Sequence, residues 1–469
     1  MSTQTSQQPS IGITVGKNLL VNVARLILAS TFIFSGFVKA IDPLGVQYKI
    51  QDYIAAVTDA YNTGFIHDWG TLVAAVLLAA FEFVLGINLL FAISRRITTK
   101  IVWLFMLVMT CVTVWIFIAN PVSDCGCFGE AVVLTNGETL LKNIVLLALA
   151  TVLVWKPLKM LRLISEHNAW IVSNFSALFI LAMSVYCLYK LPIIDFRPYH
   201  IGANIAKGME IPEGAEQPQF DTKLIYEKNG EKKEFTMENI PDSTWTFVDS
   251  ESTQISEGYV PPIHDFSILY NEEDITEDIL SDPSYTFLLI APHLETADQS
   301  QFGKINIIAD YAKRRGYRFL CLTASSQEAI EHWTDITGAE YEFANTDETT
   351  LKTIVRSSPG LLLIKEGDIL QKWSHNILPK LDEKSPVLEK TEYGTANTSF
   401  SSSVISKILL WYVLPLLILT LFDRIVAAIV AVVKRVLKRK KSQKEETPAP
   451  SSQEVGTNEN DEQENNINH

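Results

Sequence analysis

Long apolar runs alternate with short polar segments in this chain, and one polar block separates the last apolar run from the others. A helix needs about 20 apolar residues to cross the hydrocarbon core of a membrane. Six segments meet or approach this length, at 18–38, 71–93, 101–119, 140–155, 169–190 and 404–422. The pattern predicts an α-helical polytopic bundle of six spans. We place the end of the sixth span at Asp423-Arg424, although the apolar run continues to 433, and interpret 425–441 as an interfacial helix.

Lys and Arg residues predict the orientation of these spans, because cytoplasmic loops carry an excess of them. With six spans, three basic segments fall on one side, at 94–100, 156–162 and 434–441. We therefore predict a cytoplasmic (inner) membrane protein with both termini in the cytoplasm and the polar block in the periplasm. A count of five spans would put the basic tail outside. The polar N-terminus lacks a signal-peptide layout, so the first span is expected to be a retained anchor.

The polar block has a strand-rich first part and an alternating second part. Within 219–270, two strand-like runs meet at Asn229-Gly230, a dipeptide typical of tight hairpins. From 285 onward, apolar strands and helices follow the order βαβαβαββ. Strands are predicted at 286–291, 317–323, 341–344, 358–364 and 369–373, and helices at 300–315, 326–337 and 348–356. This order predicts an extracytoplasmic α/β domain with a central mixed sheet and helices on its faces.

The 469 residues thus divide into a series of segments along the chain. They are a cytoplasmic tail (1–17), a five-helix membrane domain (18–190), a linker and β-rich segment (191–270), the α/β domain (271–385), a linker (386–403), the sixth helix (404–433) and a basic, then disordered, tail (434–469). The net charge of −14 argues against nucleic acid as a partner. The expected partners are the lipid bilayer and an extracytoplasmic protein that is either a client or a redox partner.

Cys125 and Cys127 lie in the loop between the third and fourth spans, separated only by Gly126. Glycine lets the backbone fold tightly enough for the two sulfurs to approach. A disulfide across so few residues is strained and therefore easier to reduce. The spacing favours a redox pair over the alternatives, which are inert thiols or a static disulfide. Two thiolates alone underfill a zinc site.

The other three cysteines are less suited to redox chemistry. Cys187, near the outer end of the fifth span, is expected to pack as a small apolar residue, with a resolving thiol as the alternative. Cys111 lies within a span and Cys321 within a strand, and both are expected to be inert. The histidines show no metal-ligand spacing, so no metal site is predicted.

Glu82 lies near the middle of the second span, where a charge is costly and usually faces a partner or a cavity. Arg25 in the first span is at a comparable depth and is the predicted partner. A structural ion pair is the favoured interpretation. The functional alternative is proton-linked or quinone-linked chemistry, and a quinone is the one cofactor that this alternative implies.

Several short motifs in the first four spans resemble the DoxX family, and within it the MauE branch, named for methylamine utilisation. They are Ser35-Gly-Phe-Val-Lys-Ala-Ile-Asp-Pro43, Glu82 with Gly86, Cys125-Gly-Cys-Phe-Gly129 and Lys142-Asn143. The resemblance covers roughly 19–155 and implies redox handling in support of protein maturation outside the cytoplasm. The stretch 191–202 also resembles DoxX-type proteins of Bacteroidetes-like bacteria, which carry an outer domain of this kind.

The α/β domain resembles the thioredoxin fold, and Pro359 matches the position of that family's cis-proline. The resemblance implies a cis Ser358–Pro359 bond and a peptide-binding surface around it. The family's Cys-x-x-Cys site corresponds here to 291–297, which contains no cysteine, so the domain is expected to be redox-inactive. His293 and Glu295 occupy this turn, where a solvated loop is the favoured interpretation and client or ligand binding the alternative.

The function predicted from these features is membrane redox support. Cys125 and Cys127 would cycle between thiols and a disulfide, and the thioredoxin-like domain would bind a client. Whether this activity is enzymatic stays open at this point. The alternative is a non-enzymatic membrane scaffold or anchor, and a small-solute transporter is a weaker third interpretation.

Overall fold

The computed structural model describes residues 11–58, 65–122, 125–216, 219–228, 231–236, 245–256, 258–396 and 399–445. Within these residues, six helices are long and apolar enough to cross a membrane. They are α1 (Ile11–Ile41), α3 (Phe65–Phe91), α4 (Arg95–Ala119), α5 (Asn136–Trp155), α6 (Ala169–Tyr189) and α12 (Ser399–Glu445). The prediction of six spans is confirmed, and the protein is a multi-pass membrane protein.

Helix α12 is longer than the predicted sixth span. It continues through Asp423 and Arg424 without a break, so 425–441 is helical as expected but belongs to the same helix, and the end of the sixth span stays a prediction. The apolar run and the basic run form one helix because no helix-breaking residue separates them. The predicted disordered tail lies outside the described residues from 446 onward.

Helix α2 (Pro43–Thr58) follows α1 directly and lies between the first and second predicted spans. Asp42 precedes it, and its Oδ1 accepts a hydrogen bond of 3.0 Å from the backbone N–H of Gly45. This is the N-cap arrangement, in which a side chain satisfies an otherwise unpaired backbone donor. Pro43 at the first helical position adds a fixed φ that suits a helix start. The Asp-Pro dipeptide therefore begins a helix here.

Gly36 allows α1 and α3 to approach closely. A Cβ at this position would lie 2.4 Å from the backbone nitrogen of Phe83 and 2.7 Å from the carbonyl oxygen of Ala79. Small residues at a helix interface let backbones come together in membranes. This close approach decides which polar groups of α1 and α3 can meet.

The outer α/β domain follows the predicted order of elements. Its elements are β6 (Tyr285–Ile290), α9 (Phe302–Arg315), β7 (Arg318–Thr323), α10 (Gln327–Thr337), β8 (Glu342–Asn345), α11 (Glu348–Ile354), β9 (Gly360–Lys365) and β10 (Asp368–Ser374). The sheet order is β10-β9-β6-β7-β8, extended at the β8 edge by two short strands, β4 (Leu269–Tyr270) and β5 (Glu273–Asp274). β6 pairs parallel with β7 and antiparallel with β9. This is the thioredoxin-like arrangement that the sequence predicted.

Apolar side chains cover both faces of this sheet. All six residues of β6 are buried, as expected for a central strand covered on both sides. One cluster surrounds Phe287, Tyr311 and Trp333, and a second surrounds Leu288, Leu320 and Leu362. The domain therefore has a two-sided core of its own.

A separate three-stranded sheet precedes the α/β domain. It contains β1 (Gln219–Lys228), β2 (Glu231–Thr236) and β3 (Thr246–Ser256) in the order β2-β1-β3. β1 and β2 are antiparallel and pair down to Lys228 and Glu231, which confirms the two predicted strands. The predicted turn residues Asn229 and Gly230 lie outside the described residues.

Candidate functional site

The two cysteines of the Cys-Gly-Cys loop face each other. Gly126 between them has a φ of +62°, a backbone conformation that glycine adopts at little cost. The turn brings Sγ of Cys125 to 2.7 Å from Sγ of Cys127. The two sulfurs are therefore close enough for a disulfide bond to form between them. The predicted approach of the two sulfurs is present in the structure.

Hydrogen bonds from α1 and α2 hold this loop by its backbone. The hydroxyl of Tyr53 donates to the carbonyl oxygen of Cys125 at 2.8 Å. The carbonyl oxygen of Cys127 accepts from Nζ of Lys39 at 2.7 Å and from the hydroxyl of Ser35 at 2.8 Å. The backbone carbonyl of each cysteine is thus held by side chains from a neighbouring helix.

Glu82 forms its ion pair with Lys39, so the predicted pair with Arg25 is wrong. Nζ of Lys39 lies 2.7 Å from Oε2 of Glu82, and both side chains are almost fully buried. The hydroxyl of Ser35 also lies 2.7 Å from the same oxygen. Arg25 instead donates to the carbonyl of Leu161. Glu82 and Arg25 are nevertheless both buried polar residues of the membrane domain, as predicted.

Lys39 was missed as a functional residue because it lies at the end of its span, where a lysine usually reaches the interface. One signal was available in the sequence. Ser35 and Lys39 are four residues apart in one helix, and such positions share a face. That face is directed to Cys127 and Glu82.

The two thiols have very different acidities. The hydrogen bond from the Cys125 thiol is the main cause that lowers the pKa of Cys127 to about 6, against the opposing effect of burial. The positive charges of Lys142 and Lys39 lower this pKa further, and the charge of Glu82 raises it. The pKa of Cys125 is raised, chiefly because its thiol is the donor to Cys127 and also because it is buried. Cys127 is therefore the thiolate of the pair near neutral pH.

A cavity lies beside Cys127 between the helices of the membrane domain. Its walls come from α1, α3, α4 and α5 and from the Cys-Gly-Cys loop. Nζ of Lys142 lies 4.1 Å above the ring centroid of Phe128, and both residues line the cavity. Lys39 and Glu82 line it as well, so the buried ion pair, the thiolate and the cavity form one site.

The remaining cysteines lie away from this site. Cys187 is buried with Ile41 and Met183 in a small apolar cluster, as the packing interpretation expected, and it does not line the cavity beside Cys127. Its role as a resolving thiol stays a prediction. Cys321 is fully buried in β7, and burial raises its pKa. Cys111 is exposed on α4.

The loop that precedes Pro359 in the outer domain contacts α2 of the membrane domain. Nε of Arg356 lies 3.0 Å from each carboxylate oxygen of Asp42. The side chains of Arg356 and Lys352 also lie over the ring of Tyr48, at 5.4 Å and 5.2 Å from its centroid. The Ser358–Pro359 bond is cis, as predicted. The same helix, α2, therefore touches the cysteine loop through Tyr53 and the proline loop through Tyr48.

The turn that replaces the thioredoxin dithiol is held by polar contacts. Nε2 of His293 lies 2.9 Å from Oε1 of Glu348. The hydroxyl of Ser325 donates to Oε2 of Glu295 at 2.6 Å, and this bond is the main cause that lowers the pKa of Glu295. Both side chains thus have partners within the domain. Their role in client binding stays a prediction.

Next to Pro359 is a polar cluster that the sequence analysis did not identify. The hydroxyl of Ser357 lies 2.8 Å from Nδ1 of His375 and donates to the carbonyl of Pro359 at 2.7 Å. Nε2 of His375 lies 3.8 Å from Asp298. Because the Ser357 hydroxyl is hydrogen-bonded to the carbonyl of Pro359 in its own loop, the cluster stabilises the conformation of the proline loop. Among the described residues, no group of three or more His, Cys, Asp or Glu side chains is arranged to hold a metal ion.

Two family models and one solved structure match parts of this chain. Residues 17–156 match the family model of the methylamine utilisation protein MauE, which covers α1–α5 and the Cys-Gly-Cys loop. Residues 220–257 match a domain of unknown function, DUF8463. A solution structure of a candidate protein disulfide isomerase from Bacteroides thetaiotaomicron is 12% identical, with a TM-score of 0.20, over 31% of this chain and 84% of that chain. No curated protein matches.

Proposed function

Since residues 17–156 form a MauE-type membrane domain, we propose that this protein supports thiol–disulfide chemistry outside the cytoplasm through Cys125 and Cys127. The single observation that carries the proposal is the 2.7 Å separation of the two sulfur atoms. The loop is held by three side-chain hydrogen bonds that do not involve the sulfurs. This arrangement keeps two thiols in bonding range through repeated cycles.

The unequal acidity of the two thiols fits an exchange reaction. Thiol–disulfide exchange proceeds by attack of a thiolate on a disulfide through a mixed disulfide, and a thiol of lower pKa is the better leaving group. With a pKa of about 6, Cys127 is a thiolate at neutral pH. When the pair is reduced, it is thus the group that attacks a client disulfide, one client thiolate leaves, and Cys125 then attacks the Cys127 sulfur and releases the second client thiolate. In the reverse direction a client thiolate attacks the Cys127 sulfur of the oxidised pair and Cys125 leaves.

The proposed client is an extracytoplasmic protein held by the thioredoxin-like domain. That domain has no cysteine in the turn at 291–297, so it can bind a client without reacting with it. Its proline loop and the cysteine loop contact the same helix, α2. This common contact supports separate roles for the two parts, in which the thioredoxin-like domain binds the client and the cysteine loop reacts with it.

The proposed location is the cytoplasmic membrane with both termini in the cytoplasm. The basic segments near α4 and α5 support this orientation through the excess of Lys and Arg on the cytoplasmic side. The hydrogen bonds from Arg95 to the carbonyls of Leu158 and Met160 bring these two segments together at one end of the bundle. The cysteine loop follows the opposite end of α4, at Ala119.

Trapping the thiols with a mass tag in cells grown under oxidising and reducing conditions tests the proposal. We expect the Cys125–Cys127 pair to shift between a tagged and an untagged state. The Cys111→Ser variant, which removes a membrane cysteine outside the site, is expected to shift in the same way. A pair that keeps one state under both conditions would overturn the proposal.

A scaffold is the competing function, and the same cysteines separate the two. Cells that carry the double variant Cys125→Ser, Cys127→Ser should lose the support of the client if the loop is reactive, and should keep it if the protein is an anchor. The single variant Cys125→Ser leaves Cys127 able to form a mixed disulfide that cannot be resolved. Proteins recovered in that mixed disulfide are the expected clients.

A further inference from the structure

The second half of α12, residues 425–439, is exposed along its whole length. The basic side chains of this stretch form no ion pair within the part of the chain that the structure describes. They are Lys434, Arg435, Lys438 and Arg439. Whatever covers these side chains therefore comes from outside the described part of the protein.

Apolar and basic side chains occupy opposite faces of this half-helix. Residues three and four apart share one face of a helix. Lys434 and Lys438 are four apart, and so are Arg435 and Arg439, so the basic side chains lie together. The bulky apolar side chains lie on the other face and are each at least 48% exposed: Ile425, Ile429, Val432, Val433, Val436 and Leu437. A helix with these two faces suits the boundary between the acyl chains and the headgroups of a bilayer.

The length of α12 brings the basic face to the level of the lipid phosphates. Residues Ser403–Arg439 form one helix that is long and apolar enough to cross a membrane. At about 1.5 Å per residue, 404–433 rise about 45 Å, and a bilayer with its headgroup regions is about 40–45 Å thick. Lys434 follows this apolar run directly. If the span ends at Asp423 instead, the apolar face of 425–439 still requires the membrane surface, and the basic face then lies among the headgroups.

The charge of this half-helix complements an anionic phosphate. The whole chain has a net charge of −14, but no Asp or Glu occurs from 425 to 444. Clusters of about four to eight Lys or Arg residues next to a membrane span attract anionic lipids. Arg binds a phosphate with two parallel hydrogen bonds, and Lys binds it as a point charge. The two arginines and two lysines of the basic face provide both kinds of contact.

From these observations we infer that the basic face of α12 binds the phosphate groups of anionic phospholipids, with phosphatidylglycerol as the simplest example. The apolar face favours a lipid over an acidic protein partner, because a bilayer also covers the bulky apolar side chains on the same turns of the helix. This contact fixes the depth of α12 in the bilayer and enriches anionic lipid around it. The inference is independent of the cysteines and goes beyond the proposed function.

The test uses the full-length protein, purified in detergent, with phosphatidylglycerol and phosphatidylcholine of identical acyl chains added in equal amounts. Native mass spectrometry gives the ratio of the two bound lipids, and we expect the wild type to prefer phosphatidylglycerol. The fourfold variant Lys434→Gln, Arg435→Gln, Lys438→Gln, Arg439→Gln should lower this ratio by about fivefold or more, since each basic residue near the membrane surface contributes to the attraction. If the fourfold variant does not fold, the pair Lys434→Gln, Lys438→Gln replaces it and should lower the ratio by at least about twofold.

A matched control removes the same number of charges from exposed positions of the outer domain. This variant, Lys304→Gln, Lys313→Gln, Arg314→Gln, Arg318→Gln, should keep the wild-type ratio. An unchanged ratio in the fourfold α12 variant overturns the inference. An equal loss in the control overturns it as well, because net charge alone then decides the ratio.

The acidic segment 446–469 of the chain is the competing occupant of the basic face. A wild type without a preference for phosphatidylglycerol overturns the inference. If a chain that ends at Glu445 then shows the preference, the acidic segment covers the basic face in place of lipid. The thiols take no part in this measurement, so its result leaves the proposed function untouched.

Discussion

Arg356 and Asp42 form an ion pair between the outer domain and the membrane domain, with Nε of Arg356 at 3.0 Å from both carboxylate oxygens. The Arg356 side chain is 6% exposed and that of Asp42 is 19% exposed. Charge-assisted bonds to a carboxylate are among the stronger hydrogen bonds in proteins. Asp42 also caps α2, so one carboxylate fixes both the start of this helix and the loop before Pro359.

We predict that Arg356→Gln loosens this contact. Removing one partner of a buried charge pair costs about 2–5 kcal/mol at an interface. Amide hydrogen exchange of α2 and of 356–360 should therefore become faster. Arg314→Gln breaks an exposed pair with Glu383 and should leave exchange unchanged, since exposed pairs contribute little. Unchanged protection of α2 in Arg356→Gln would show that other contacts hold the two domains together.

A second prediction concerns Asp195, which joins the segment after α6 to the outer domain. Its carboxylate lies 2.8 Å from Nζ of Lys372 and 2.7 Å from Nε of Arg197. Burial alone would raise the pKa of Asp195, but these two positive charges and their hydrogen bonds hold it well below its usual range.

A carboxylate whose folded-state pKa is depressed stabilises the fold above its unfolded pKa, and this stability is lost as pH falls through the folded-state pKa. The thermal midpoint of the wild type should therefore decrease when the pH is lowered below about 4, which is near the pKa of an aspartate in the unfolded state. Asp195→Asn should have a lower midpoint at pH 7 and a weaker dependence on acid. An acid profile that is the same in both proteins would contradict this assignment.

The local patterns of the sequence predicted most of the fold but few of the contacts at the site. The apolar run of β6 is a local pattern, and the strand predicted from it is confirmed. The pair of Asp42 and Arg356 joins residues 314 positions apart. Nothing in the periodicity of either segment encodes such a pairing.

The partner of Glu82 shows the same limit within the membrane domain. Arg25 and Glu82 both lie inside a span, so depth along the helices favoured Arg25 as the partner of Glu82. The partner of Glu82 depends on how α1 and α3 are rotated about their own axes and on their close approach at Gly36. Together these bring Lys39 to Glu82. The two cysteines were identified because the approach of their sulfurs depends on sequence neighbours alone.

The third prediction tests the corrected ion pair. Glu82→Gln leaves the charge of Lys39 buried without a counter-charge, and breaking such a pair costs about 3–5 kcal/mol. The folded yield and the thermal midpoint should both fall. Lys39→Met combined with Glu82→Leu should recover part of this loss, since apolar residues can replace a buried pair.

A double-mutant cycle separates Lys39 from Arg25 as the partner. Residues in contact show non-additive effects, whereas residues without a shared contact are additive within about 0.5 kcal/mol. Lys39→Met and Glu82→Gln should therefore be non-additive, and Arg25→Gln and Glu82→Gln additive. The reverse result would restore the pair of Arg25 and Glu82.

The last prediction uses the acidity of Cys127 and the charge of Lys142. Alkylation of Cys127 in the reduced protein, followed by peptide mapping across pH, should be half-maximal near pH 6, where the pKa of this thiol lies. Lys142→Met removes a positive charge that stabilises the thiolate, so the midpoint should rise, by about one pH unit at most. Lys156→Met, just beyond the other end of α5, is the matched control and should keep the wild-type midpoint.

A wild-type midpoint close to that of an ordinary thiol would show that Cys127 is not activated. Equal midpoints in the wild type and Lys142→Met would show that Lys142 does not act on the thiolate.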